Sequence, residues 1–375
     1  MGVRVTSWLE INEERLAANY RVLCAAAGDE TTVMAVVKAN GYGHGATVCA
    51  PMLVRAGASW LGVTNTAEGV RVRACVGRET DILVMSGFLP EDAPALVEHG
   101  LTPVVWTREQ VEWLGDLSLK VHVEVDTGMS RQGVRPGADL EEVLGLIAGS
   151  PGLSLGAVLT HFGSSEEPGE AMTFGQERRF EGAIAQVAGL GLRPDWVHAG
   201  NTSSVDNPVG DAGWLVRLAA TVGAQAMVRT GIGLYGYCLT SAGAAVAGEL
   251  RPVMQWKARV LSVRELAAGD TVGYNAVYRA QGPRVVALLP VGYANGLRRE
   301  LSSSDGGCGW VMVAGERAPI VGRVSMNLTV VDVTGIDGVK AGDEAVVLGD
   351  GVTAEDHARL AGTIAYEILC GVHPG

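Results

Sequence analysis

The chain has 375 residues, 47% of them hydrophobic, and a formal net charge of -12, enough apolar material for a large core and enough length for two domains. No apolar run approaches the ~18 residues of a membrane span, the acidic balance disfavours a nucleic-acid partner, and the start lacks the apolar stretch of a secretory signal. Six cysteines at 24, 49, 75, 238, 308 and 370 form no C-x-x-C pair, which argues against zinc ligation and a disulfide framework and fits thiols in a reducing cytosol; no metal is expected, and the expected partner is a small molecule.

From residue 12 onward, short β-branched runs alternate with amphipathic helical stretches. Asn12 is read as the cap of EERLAANYRVL, which puts Leu16, Tyr20 and Leu23 on one face, and Thr66 as the cap of AEGVRVRA. Strand candidates span 31–37, 59–64, 81–86, 101–105, 119–125, 153–160, 195–199 and 226–229. Eight such βα repeats predict an α/β fold, a TIM (β/α)8 barrel. The rival, a doubly wound sheet, needs a G-x-G-x-x-G loop after its first strand, and GYGHG is not one. Beyond about residue 240 the runs VMQWKARVLSV, PRVVALLPV, GWVMVAG, APIVGRV, LTVVDV and EAVVLG follow with only turns between, an all-β pattern. The expected division is a barrel over 1–240 and a C-terminal all-β domain over 241–375, with about the first ten residues packing on the latter; Thr353 caps one late helix, AEDHARLAG.

The unusual polar residues fall at strand ends. Lys38 closes the first barrel strand, Arg131 follows the fifth, His161 the sixth, Asn201 and Thr202 the seventh, and Arg229, Gly231 and Ile232 end the eighth. This is the C-terminal rim, where TIM-barrel sites are built, and the loops after strands seven and eight are the usual phosphate cradle. Lys38 follows a run of apolar residues, and burial lowers a lysine's pKa and readies it to form a Schiff base, although a lysine snorkelling to the rim has the same sequence.

The segment AVVKANGYGHG around Lys38 resembles the cofactor-lysine motif of alanine racemases, and the resemblance continues through DTGMSRQG, THFGSSEE, HAGNTSS, VRTGIGLYG, TVGYNAVY, PVGYANG, PIVGRVSMN and AYEILCG, in order along nearly the whole chain. It implies a cytoplasmic isomerase that uses pyridoxal 5'-phosphate to interconvert L- and D-alanine and supplies D-alanine for peptidoglycan. It also implies a homodimer whose active sites take residues from both chains, with neither membrane nor nucleic acid as partner. Carried over by motif, Lys38 and Tyr274 of the partner subunit are the two bases, His161 assists the tyrosine, and Arg229 faces the pyridine nitrogen. Tyr42, Thr202, Gly231, Ile232 and Tyr366 match phosphate contacts, and Asn201 joins the cofactor set. Arg131 matches the residue that meets the cofactor's phenolic oxygen and the substrate carboxylate, with the backbone amide of Met326 of the partner subunit as its companion; Tyr293 is also placed at the substrate, and Glu166, Arg299, Arg323 and Ile364 at an entrance gate.

The chain departs from the pattern at three places. Where many members carry a carbamylated lysine, seven residues before the arginine, this sequence has Glu124, which lies on the polar face of its strand and is expected to pair directly with Arg131, with no carbamylation of Lys120. Two customary aspartates are Asn295 and Asn327. These changes leave a racemase of serine or another small amino acid as the alternative.

Overall fold

The computed structural model describes residues 5–167, 169–207, 213–239, 246–303 and 308–374. Two compact units share the chain: one comprises Glu14–Gly41 and Gly45–Arg251, the other Met1–Glu13, Tyr42–His44 and Pro252–Gly375. The expected boundary at 240/241 lies outside the described residues.

The chain opens with strand β1 (Ser7–Ile11). The first unit then closes eight parallel strands into a barrel: β2 (Thr31–Val36), β3 (Trp60–Val63), β4 (Asp81–Val84), β5 (Thr102–Val105), β6 (Leu119–Glu124), β7 (Leu153–Leu159), β8 (Trp196–His198) and β9 (Gln225–Thr230). The apolar runs of β3 (WLGV) and β4 (DILV) are what strands covered on both faces require, whereas β6 (LKVHVE) and β9 (QAMVRT) carry the polar residues His122, Glu124 and Arg229 inward. Met34, Trp60, Leu83, Val104, Leu159 and Met227 fill the interior, so the barrel is a packed core that offers its chemistry only at the rim. The helix Glu13–Ala27 buries Leu16, Tyr20 and Leu23, the predicted face. The helix Thr66–Arg73, however, is capped by Asn65 and not by Thr66: Asn65 is extended and its side chain accepts the Glu68 N–H, while Thr66 already belongs to the helix.

The second unit is built on antiparallel strands. A five-stranded sheet runs β1, β10 (Met254–Arg259), β18 (Glu344–Leu348), β15 (Trp310–Val313) and β16 (Glu316–Pro319). A three-stranded sheet joins β11 (Ser262–Leu266), β14 (Arg284–Leu289) and β17 (Thr329–Asp332), and a hairpin pairs β12 (Thr271–Val272) with β13 (Tyr278–Arg279). β1 adds to an edge in antiparallel register, Leu9 opposite Trp256, and Trp256 Nε1 donates to Ser7 Oγ at 2.8 Å. Thr353 caps the helix Ala354–Ala361 through the Asp356 N–H, as its sequence predicts, and a second helix, Ala365–Cys370, follows.

Candidate active site

Past the end of β2 the backbone does something L-residues avoid. Ala39, Asn40, Gly41 and Tyr42 all have positive φ, of 51°, 53°, 66° and 52°, a left-handed turn directly after Lys38. Each non-glycine residue there costs roughly 1–2 kcal/mol, so the surroundings must hold the turn. Glu68 does so by accepting the Ala39 N–H with one carboxylate oxygen (2.9 Å) and the Thr64 N–H with the other (2.8 Å), which ties the turn to the end of β3. The Asn40 side chain accepts from the Ala46 N–H at 3.0 Å, and Gly41 N–H reaches back to Val37 O at 2.8 Å. Lys38 is half-buried at the C-terminal rim.

Two buried histidines, His122 and His198, the half-buried His161 and one arginine form a chain across the barrel mouth. Arg229 donates through Nη1 to His198 Nδ1 (3.2 Å), and through Nη2 to the Thr160 carbonyl (2.8 Å) and His161 Nδ1 (3.1 Å). His198 Nε2 meets His122 Nδ1 at 3.2 Å. Because a guanidinium only donates, every tautomer follows from it. His161 and His198 accept at Nδ1 and carry their protons on Nε2; His198 therefore donates to His122, whose proton is also on Nε2. His161 thus presents a neutral N–H as a donor at its far nitrogen.

The electrostatics agree with this assignment. Burial, reinforced by the cations of Arg229, Arg131 and Lys38, pushes His161 down to about 3. Burial first, then Lys120 and Arg229, brings His122 to about 3, and His198 is lowered well below its ordinary value by burial, Arg229 and His122. Burial lowers Arg229 itself to about 10, with Glu124 opposing and Arg131 adding to the fall, so it stays cationic at neutral pH.

A pH dependence follows. These histidines are neutral when folded and take up protons near pH ~6.5 when unfolded. Their contribution is therefore complete above ~6.5 and declines as the pH falls toward about 3, by up to about 1.4 kcal/mol per pH unit for each histidine in that window. Urea unfolding between pH 6.5 and 4.5 will show this slope, and His122→Gln will flatten it. A wild-type slope no steeper than that of the variant would contradict the neutral chain.

The loops after β8 and β9 form a compact cradle. Asn201 caps the short helix Thr202–Asp206, accepting from Ser204 N–H at 3.1 Å, and Ser165 Oγ donates to the same Asn201 oxygen at 2.9 Å. Thr202 is thus the first helical residue and not the cap. Its Oγ1 accepts both the Gly231 and the Gly233 N–H, at 3.2 Å each. A hydroxyl with both acceptor positions filled has its own hydrogen left to give, so Thr202 is a donor aimed away from the loop, which suits an anion. A Cβ on Gly233 would lie 2.7 Å from Thr202 Cγ2, so the close approach requires glycine.

Glu124 corrects one expectation. It is buried at the end of β6, but its side chain accepts from Gln132 Nε2, not from Arg131, which stays exposed; Gln132 also donates to Met85 O at 2.9 Å. The reason lies in the loop. The Asp126 carboxylate accepts the N–H groups of Gly128 and Ser130, and Ser130 takes φ 56°, which turns the chain so that residue 132 faces inward. Burial raises the Glu124 carboxyl, with Gln132, Arg229 and Arg131 opposing. Lys120 points away, paired with Asp195 at 2.6 Å.

The remaining candidates belong to the second unit, except Glu166, which is half-buried after β7, and Ile232, which is buried in the turn after β9. Tyr274 stands 68% exposed at the tip of the β12–β13 hairpin. Tyr42 and Tyr366 pack ring to ring, centroids 5.9 Å apart, and a Cβ on Gly43 would lie 2.1 Å from Leu369 O, so the strand-end loop and the helix Ala365–Cys370 touch backbone to backbone. Tyr293, Met326 and Ile364 are exposed, Arg299 lies in the turn Arg299–Leu301, and Arg323 is half-buried with its Nε bonded to no described residue. Sequence reasoning missed Glu68, Gln132 and His122 as site residues and passed over His198, which sat in plain view inside HAGNTSS.

Comparison with known proteins gives the site its context. The model described as the alanine racemase N-terminal domain matches residues 11–238, and that described as the C-terminal domain matches residues 253–375. The chain belongs to the alanine racemase family. It is an isomerase, 36% identical to the alanine racemase of Symbiobacterium thermophilum over 381 aligned residues, covering 99% of this chain and 96% of that one. The solved alanine racemase from Streptomyces coelicolor A3(2) superposes with a TM-score of 0.87 at 32% identity, covering 98% of this chain and 96% of that chain. An alanine racemase from Bartonella henselae, solved with covalently bound pyridoxal phosphate, superposes at 0.83 with 26% identity over 98% of each chain.

Proposed function

We propose that this protein interconverts L- and D-alanine with bound pyridoxal 5'-phosphate, and that Lys38 and Tyr274 of a second copy are the two bases that work on opposite faces of the substrate. The observation that carries the reading is the position of Lys38: it stands just past the end of barrel strand β2, within electrostatic reach of a neutral His161 that Arg229 holds by its Nδ1.

The residues present suit the cofactor. Thr202 offers its hydroxyl hydrogen, with Gly231 and Ile232 beside it, to a phosphate, and Tyr42 and Tyr366 supply further hydroxyls. Among the described residues Arg229 commits three N–H bonds, to His198, Thr160 and His161, out of the five a guanidinium has, which leaves donors for an acceptor such as a ring nitrogen. Pyridoxal phosphate, when bound, supplies a carbonyl carbon that captures the substrate amine and a ring that spreads the charge left when the Cα proton departs.

Arg229 keeps its proton at neutral pH, so a ring nitrogen placed against it would be held as an acceptor, and the ring would be a weaker sink for charge. Lys38 ties the cofactor down and moves the proton on one face. Tyr274 moves it on the other, and the His161 Nε2–H stabilises its phenolate, since a tyrosine otherwise titrates near ~10. Arg131, Met326 and Tyr293 receive the substrate, and Glu166, Arg299, Arg323 and Ile364 line its approach. A head-to-tail homodimer is part of this reading: Tyr274, Val277, Tyr293, Met326 and Leu328 are all exposed on one unit, an arrangement that suits a covering second copy. The product would supply D-alanine for peptidoglycan in the cytoplasm.

Incubating the holoenzyme with single L-amino acids in D2O, followed by chiral analysis, tests this. Alanine should deuterate at Cα and racemise faster than serine; a faster reaction with serine would reassign the substrate, and no exchange with any amino acid would end the racemase reading.

A further inference from the structure

The sequence replaces a customary aspartate with Asn295, and the structure gives the amide a task that a carboxylate cannot perform. Asn295 lies in the turn Tyr293–Asn295, in the motif that carries Tyr293. Its Oδ1 accepts the Gly292 N–H at 3.1 Å and closes the turn; its Nδ2 donates to the His373 carbonyl at 3.2 Å; and its own carbonyl accepts the His373 N–H at 2.9 Å. The amide orientation is forced, because the atom facing the Gly292 donor must be the oxygen. An aspartate here would set a carboxylate oxygen against a carbonyl oxygen.

The turn is gripped from two sides. Tyr293 N–H donates to Ser325 O at 3.0 Å and Ala294 N–H to Met326 O at 2.9 Å, while Cβ atoms built on Gly292 and Gly296 would lie 2.1 Å from Ser325 O and 1.9 Å from Gly371 O. Tyr293 and Met326 are themselves 45% and 56% exposed in the single chain, so packing within the chain does little to fix their place and the backbone clasp sets it before any second copy covers them.

We infer that Asn295 is a positioning residue for substrate recognition: through its clasp with residues 371–373 it sets Tyr293 and the Met326 backbone where an amino-acid substrate is received. This rests on the functional reading above.

Two variants of the holoenzyme test it, Asn295→Asp and a chain ending at Val372. In both, the KM for alanine should rise at least about tenfold, the scale of the one hydrogen bond that Asn295→Asp loses and of the first of the two that the shortened chain loses, with kcat within about twofold of wild type. Amide hydrogen exchange at Tyr293 and Ala294 should quicken in both. If Asn295→Asp fails to fold, the shortened chain, which leaves Asn295 intact, gives the answer alone. An unchanged KM in the folded variants, or a fall in kcat without a rise in KM, would overturn the proposal. If wild type racemises no amino acid, the functional reading fails on its own account, and unaltered exchange would independently remove the clasp.

Discussion

Lys38→Ala will purify as a folded protein that shows no absorbance band near ~420 nm in the presence of pyridoxal phosphate and racemises alanine on the order of 10^4-fold more slowly than wild type. The fold should tolerate the change because the bonds that hold the left-handed turn run through the Ala39 N–H, the Asn40 side chain and the Gly41 N–H, none of which belongs to Lys38. The loss is chemical: alanine has no amine to bind the cofactor's carbonyl carbon and none to carry a proton. Lys38→Arg separates charge from amine chemistry, since a guanidinium keeps the cation but stays protonated. It should be nearly as inactive. A band that persists in Lys38→Ala would move the attachment point to another residue.

The barrel was legible because most of its strands are buried on both faces and read as short apolar runs, with the polar alternation of β6 as the exception, while the connecting helices keep their 3.6-residue period. The same logic explains what was harder to see. Ala365–Cys370 is only six residues long, too short to display a period, and Tyr366 was recognised by motif and not by its helix. The pairs β12 and β13 are two residues each, and nothing in such a length distinguishes strand from turn.

The site residues divide along similar lines. Lys38, Arg229 and Thr202 follow from their place at strand ends. The partner of Glu124 does not, because alternation along β6 determines that its side chain faces inward but not which of two neighbouring loop residues comes to meet it. That choice belongs to the Asp126 turn and the positive φ of Ser130, and it falls to Gln132. Nor does sequence show that Arg229 fixes three tautomers, since His122, His161 and His198 are separated along the chain and come together only when β6, β7 and β8 lie side by side.

Tyr274→Phe carries the second large effect. At 68% exposure the hydroxyl contributes little to the fold, so stability and the cofactor band should hold while racemisation falls by about 10^3. The fall must be equal from either enantiomer, because L- and D-alanine are equally stable and kcat/KM in the two directions cannot part. The asymmetry should appear in exchange: with Lys38 intact, the enantiomer whose Cα proton faces Lys38 should still trade that proton for deuterium with retention, while the other should not. Equal loss of exchange for both enantiomers would remove the two-base assignment. Mixing the variants then tests whether the tyrosine acts in the partner's site. A heterodimer of Lys38→Ala and Tyr274→Phe chains has one site in which both bases are native if Tyr274 works across the interface, and none if it works within its own chain. Random reassociation should therefore restore about a quarter of wild-type activity from two inactive proteins. No recovery, under conditions where subunit exchange is demonstrated by mass, would return Tyr274 to its own subunit.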